Sequence, residues 1–151
     1  MSTSGDGELR PIIVHIDGLV EPHNPGGIGT YAFVVDDGGG KIRKAGYIGQ
    51  GKGMTNILAE YTGLCEVLGY LLAQKRNTEP IEVYTDLQLI VNQMKGVYKA
   101  HSGVYIPKLE EAKRLARKFP KLSFHWVPRE ENREADKLTR EAYRRFLSQG
   151  K

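Results

Sequence analysis

The segment Pro11 to Val20 is apolar on both of its alternating faces. That pattern belongs to a strand buried on both sides, with helices above and below its sheet. The same run holds a carboxylate, Asp17. A charge inside an apolar segment is costly unless it is paired or bound to a cation.

The elements that follow are legible from their spacing. Gly29 to Asp37 reads as a second strand, rich in Tyr, Phe and Val. Asp36-Asp37-Gly38-Gly39-Gly40-Lys41 is a turn signal, and Ile42 to Ile48 a third strand, so the pair forms a hairpin. Gly49 to Gly53 breaks the strand pattern. Thr55 then caps a helix running to Arg76, with Leu64, Val67, Leu68, Leu71 and Leu72 at helical spacing. Ile81 to Thr85 is a fourth strand, followed by a helix from Leu87 to Lys95. Pro107 opens another helix, closed by Pro120. Leu122 to Val127 is a fifth strand, and the last helix spans Asn132 to Leu147.

Strands that come first as neighbours pair antiparallel, and strands reached through helices pair parallel. The expected fold is therefore α/β: a mixed five-stranded sheet, three antiparallel strands then two parallel, flanked by helices. One domain, residues 11–148, contains it all. Residues 1–10 are rich in Ser, Gly, Asp and Glu and read as a disordered leader.

Four carboxylates stand out by their settings. Asp17 lies in Ile16-Asp17-Gly18, Glu60 in Thr55-Asn56-Ile57-Leu58-Ala59-Glu60, Asp86 in Val83-Tyr84-Thr85-Asp86, and Asp136 in Glu131-Asn132-Arg133-Glu134-Ala135-Asp136. Two follow strand-like runs and two fall in early helical turns, where the helix dipole favours negative charge. If the fold gathers them, they cannot all ionise together without a cation. Hard oxygen ligands suit Mg²⁺, with Mn²⁺ as a substitute, rather than zinc. Two such ions can serve an in-line displacement at phosphorus. Gly18 leaves room for a phosphate beside Asp17. Asp36 and Asp37 are turn residues instead, bonded to their own backbone. Glu134 reads as a solvated helix charge and His15 as a buried structural histidine.

Charge is uneven along the chain. Residues 107–145 carry 12 Lys/Arg against 7 Asp/Glu, whereas residues 1–106 carry 9 against 11. A basic third beside an acidic site suits a protein that grips phosphates and attacks one, although on charge alone a solvated helix with alternating charges is the simpler reading. No apolar run is long enough to span a membrane. A single cysteine, Cys65, permits no internal disulfide. It fits a reducing compartment, and the expected location is cytoplasmic.

These segments together resemble type 1 ribonuclease H. The resemblance is carried by Ile16-Asp17-Gly18, Asn24-Pro25-Gly26-Gly27-Ile28-Gly29, Thr55-Asn56 through Glu60, Thr85-Asp86 with Gln88, and Val127 through Asp136. It implies a ribonuclease H-like fold. It also implies a metal-dependent endoribonuclease that cuts the RNA strand of RNA–DNA hybrids, leaving 5′-phosphate and 3′-hydroxyl ends. Asp17, Glu60, Asp86 and Asp136 would be the catalytic, metal-binding carboxylates around a two-ion site. Gly18, Asn24, Asn56, Gln88 and Arg129 would meet the substrate. Amides that donate and accept suit base edges and 2′-hydroxyls in a minor groove. A monomer with no obligate protein partner is expected.

Two departures from the family pattern stand out. The loop Pro128-Arg129-Glu130-Glu131 lacks the histidine many members carry before the last aspartate, and Val97 to Ile106 is too short for their basic handle. Two rival readings are an inactive nucleic-acid-binding module of the same fold and a related nuclease acting on DNA.

Overall fold

The computed structural model describes residues 10–99 and 102–149. The expected leader lies outside the described residues, apart from Arg10. The strands are β1 (Ile12–Glu21), β2 (Gly26–Asp36), β3 (Lys41–Gly51), β4 (Ile81–Thr85) and β5 (Leu122–Trp126). The helices are α1 (Asn56–Ala73), α2 (Gln88–Met94), α3 (Ile106–Ala116) and α4 (Arg133–Gln149), with a 3-10 turn at Arg129–Glu131 before the last. The sheet order is β3-β2-β1-β4-β5. β1 pairs antiparallel with β2 and parallel with β4, so the expected mixed five-stranded sheet is present.

The two apolar faces of β1 are both used. Ile12, Val14 and Ile16 join the core formed with Tyr61, Leu64, Leu68 and Leu71 of α1. The opposite face receives α4, and Thr30 in β2 donates its hydroxyl to the Thr139 carbonyl at 3.0 Å. The two helices therefore sandwich the central strands.

Local chemistry sets the ends of α1. The Thr55 hydroxyl accepts from the Leu58 N–H at 3.2 Å, a cap whose loss costs about 1 kcal/mol. The helix stops at Ala73, short of Arg76, and Lys75 adopts φ 59 just beyond it.

β3 extends beyond Ile48 to Gly51, into the run that seemed to break it. Gly49 pairs with Gly29 and Gly51 with Gly26 on β2. Cross-strand packing here outweighs the weak strand propensity of glycine.

Candidate active site

Asp17, Glu60 and Asp86 converge at one end of the sandwich. One carboxylate oxygen from each lies within 4.8 Å of the others. Asp17 comes from the middle of β1, Asp86 directly follows β4, and Glu60 sits in the second turn of α1. Sheet order makes this possible, because β1 and β4 are neighbours and α1 packs against β1.

Gly18 explains how α1 comes so close. A Cβ at Gly18 would lie 2.5 Å from the Ala59 carbonyl carbon and from the Glu60 nitrogen. The missing side chain makes room for the helix backbone. Gly18 still borders the groove, and its N–H donates to Glu60 Oε2 at 3.0 Å.

Glu60 is fully buried, and its other oxygen accepts from the Thr85 hydroxyl at 2.9 Å. Burial, the adjacent Asp17 charge and a hydrogen bond with Asp17 hold its carboxyl well above the usual range. Asp17 is also pushed up, first by burial and then by the charges of Asp86 and Asp136. Asp86, half-buried, is raised by burial and moderated by the Arg129 charge and a hydrogen bond from Asn132. Such groups ionise readily only with positive charge beside them. The donor set is all oxygen, which fits a hard divalent cation. In these respects the three residues fit a metal site.

Asp136 stands beside this triad rather than in it. It lies in the first turn of α4, with its carboxylate accepting from Arg140 Nε at 3.3 Å. It is near enough for its charge to act on both Asp17 and Asp86.

A cavity of about 430 Å³ opens from the triad, bordered by Gly18, Asn24, Asn56, Leu87 and Arg129 among others. Asn24 Oδ1 accepts the Asn56 backbone N–H at 3.2 Å, so this side chain also fastens the start of α1. Gln88 is exposed at the start of α2 and is not among the groove's lining residues.

Two supporting residues were not singled out for the site in the sequence. Asn132, 1% exposed, donates through Nδ2 to the Ile16 carbonyl at 2.8 Å, pinning the entry of α4 to β1 beside Asp17. Trp126 Nε1 donates to the Asp86 carbonyl at 3.2 Å, holding the end of β4 from β5. Their only signal was proximity in sequence to a loop and a strand end.

Other expectations meet mixed outcomes. Asp36 and Asp37 accept from Gly38, Gly39 and Gly40 amides within their turn, as expected. Glu134, read as solvated, instead binds Lys41 at 3.1 Å and Arg43, tying α4 to β3. His15 is half-buried and stacks on Tyr84 with ring centroids 5.3 Å apart.

Residues 15–142 match the family model described as "Reverse transcriptase-like". The chain superimposes on RNase H1 from Halobacterium salinarum with a TM-score of 0.76, at 26% identity, covering 89% of this chain and 98% of that one. With LC11-RNase H1, solved in complex with an RNA/DNA hybrid, the TM-score is 0.80 at 32% identity, covering 90% and 99%. This chain belongs to the ribonuclease H family. As a ribonuclease H it is also 30% identical over 132 residues to the bifunctional protein Rv2228c of Mycobacterium tuberculosis. That alignment covers 87% of this chain but only 35% of the relative. The RNase H domain of rv2228c gives a TM-score of 0.77 at 28% identity, covering 88% of this chain and 98% of that one. The ribonuclease H assignment agrees with the fold and with the acidic triad at the head of the groove.

Proposed function

We propose that this ribonuclease H hydrolyses the RNA strand of RNA–DNA hybrids as an endonuclease, leaving 5′-phosphate and 3′-hydroxyl ends, and that it depends on Mg²⁺, with Mn²⁺ able to substitute. The convergence of Asp17, Glu60 and Asp86 within 4.8 Å carries this reading. The structure of a 32% identical relative with an RNA/DNA hybrid supports the choice of substrate.

A pair of Mg²⁺ ions would supply activation of the attacking water and stabilisation of the leaving oxygen. Asp17, Glu60 and Asp86 would hold that pair, with Asp136 completing the set from α4. The protein's own contribution is placement. Gly18 and Thr85 hold the two Glu60 oxygens from two strands. Trp126 and Asn132 brace Asp86 from β5 and from the entry of α4. Along the groove, Asn24 and Asn56 offer amides suited to 2′-hydroxyls and base edges, which separate RNA from DNA. Arg129 offers a phosphate contact. Gln88 would reach the duplex only beyond the groove. We take the working form to be a cytoplasmic monomer, in keeping with a site built from a single copy.

The test is a cleavage assay with labelled hybrid and double-stranded DNA, in Mg²⁺, in Mn²⁺ and in EDTA. Hybrid cleavage in either metal and none in EDTA is expected. Full cleavage in EDTA, or preferential cutting of the DNA duplex, would sink the reading.

A further inference from the structure

Thr85 ends β4 and has no solvent exposure. Its hydroxyl donates to Glu60 Oε1 at 2.9 Å and accepts from the Leu87 N–H at 3.1 Å. The Leu87 amide takes one lone pair of the hydroxyl, and the hydroxyl proton is directed at Glu60.

The consequence lies in what this one side chain joins. Glu60 comes from α1, and its other oxygen is already held by the Gly18 N–H of β1. Leu87 immediately follows Asp86, so the amide that Thr85 accepts belongs to the backbone just beyond that aspartate. Two of the three clustered acids are thereby referred to one buried hydroxyl. Each Glu60 oxygen has one fixed donor and keeps a further lone pair. Glutamate has three side-chain torsions, and a long carboxylate without such donors would sample several orientations.

We propose that Thr85 is a positioning residue that locks Glu60 and Asp86 into a single preformed donor set for a divalent cation. This rests on the metal-dependent reading above. Partners that orient a metal ligand commonly change metal affinity by about 10- to 100-fold when removed.

The test uses the full chain with Thr85→Val, which keeps shape and deletes the hydroxyl, and Thr85→Ser, which keeps the hydroxyl. Thr85→Ala is run beside them, so that loss of the hydroxyl is read in two packing backgrounds. Each metal-free protein is titrated with MnCl₂ by calorimetry without nucleic acid, and its thermal unfolding is recorded separately. The valine and alanine variants should bind Mn²⁺ about 10- to 100-fold more weakly, and the serine variant should stay close to the parent chain. Unchanged Mn²⁺ affinity in the valine and alanine variants overturns the proposal, even where their melting temperatures fall. Equal loss in serine and valine overturns it too, because the hydroxyl would not be the cause. A parent chain that binds no Mn²⁺ and leaves the hybrid intact defeats the functional reading itself. A parent that binds and cleaves, with variants that bind equally well, defeats only the role of Thr85.

Discussion

Two groups of acids sit on this one sheet and behave in opposite ways. Asp17, Glu60 and Asp86 gather at the carboxyl end of β4, where burial raises all three carboxyls. Asp36 and Asp37 occupy the β2–β3 turn, where the Arg76 guanidinium and the Gly39 amide hold Asp37 below the usual carboxylate range. Asp37 meets Arg76 Nη1 at 2.8 Å, and its charge is satisfied within the protein. The groove acids face one another, and only Asp86 has a cation, Arg129, near enough to moderate it, without an ion pair. Aspartates adjacent in sequence thus form a settled turn, while acids distant in sequence form a site that calls for a cation. Density of acidic residues along the chain is a poor guide to function; uncompensated density in space is a better one.

The sharpest way to break this contrast is Asp86→Asn. It preserves shape and removes one charged donor, so hybrid cleavage should fall by about 10² or more. The metal-free protein should be no less stable, because a repulsion among buried acids is relieved. Turnover and melting temperature of the purified variant check both halves, and a fully active variant would remove Asp86 from the site.

Asp17 and Asp37 should also respond oppositely to pH. Asp17 is raised to about 7 in the folded protein, from an ordinary value of 3.8. A raised carboxyl binds more protons folded than unfolded, so its stabilising effect is present below about 4 and lost as pH rises through about 7. The metal-free protein should therefore melt lower at pH 8 than at pH 5.5, and Mg²⁺ or Mn²⁺ should recover much of the difference at pH 8. Asp37, being lowered, contributes above its ordinary value of 3.8 and loses that contribution as pH falls through its folded value. Melting curves across pH with and without metal separate the two behaviours. A metal-free protein that grows steadily more stable from pH 5.5 to 8 would contradict the assignment of a strained triad.

Smaller effects should come from the basic residues. Arg129 borders the groove, and Arg133 is exposed at the start of α4. Replacing both by alanine should flatten the salt dependence of hybrid binding by roughly one to two units of log–log slope. Lys41 is engaged with Glu134 and Lys44 lies over the Tyr70 ring, both on the edge strand β3. Their double replacement should change the slope much less. Affinities measured across a salt series in Ca²⁺, if that ion proves non-productive, compare the pairs; equal losses would place the binding face elsewhere. The smallest effect belongs to Asp37→Asn, which should leave cleavage close to that of the parent chain. A large loss of activity there would erase the distinction between the two acidic groups.

Much of this architecture was legible in residue order alone. Apolar periodicity separates strands from helices, and the fourth strand falls on Ile81–Thr85 as expected. The cap at Thr55 is a local bond spanning three residues, so local sequence suffices to find it. The identities of the acids were equally visible, because a carboxylate in or beside an apolar run is conspicuous. The extents of β2 and β3 were not, since they depend on cross-strand pairing that overrides glycine's local preference.

The sequence therefore determined which elements form and which side chains are available, through interactions that act over a few residues. Tertiary packing decided what those side chains do. Glu60 is held by Gly18 and Thr85, which lie 42 and 25 residues away, and Asn132 reaches Ile16 across 116 residues. No periodicity encodes such pairings. Packing also made Gly18 the seat of α1, and turned Glu134 from a solvated charge into a tie between α4 and β3. It left Asp136 against Arg140, beside the other three acids. Burial and charge separation are properties of the assembled sandwich, and these alone set whether a carboxylate is content in its place or waits for a cation.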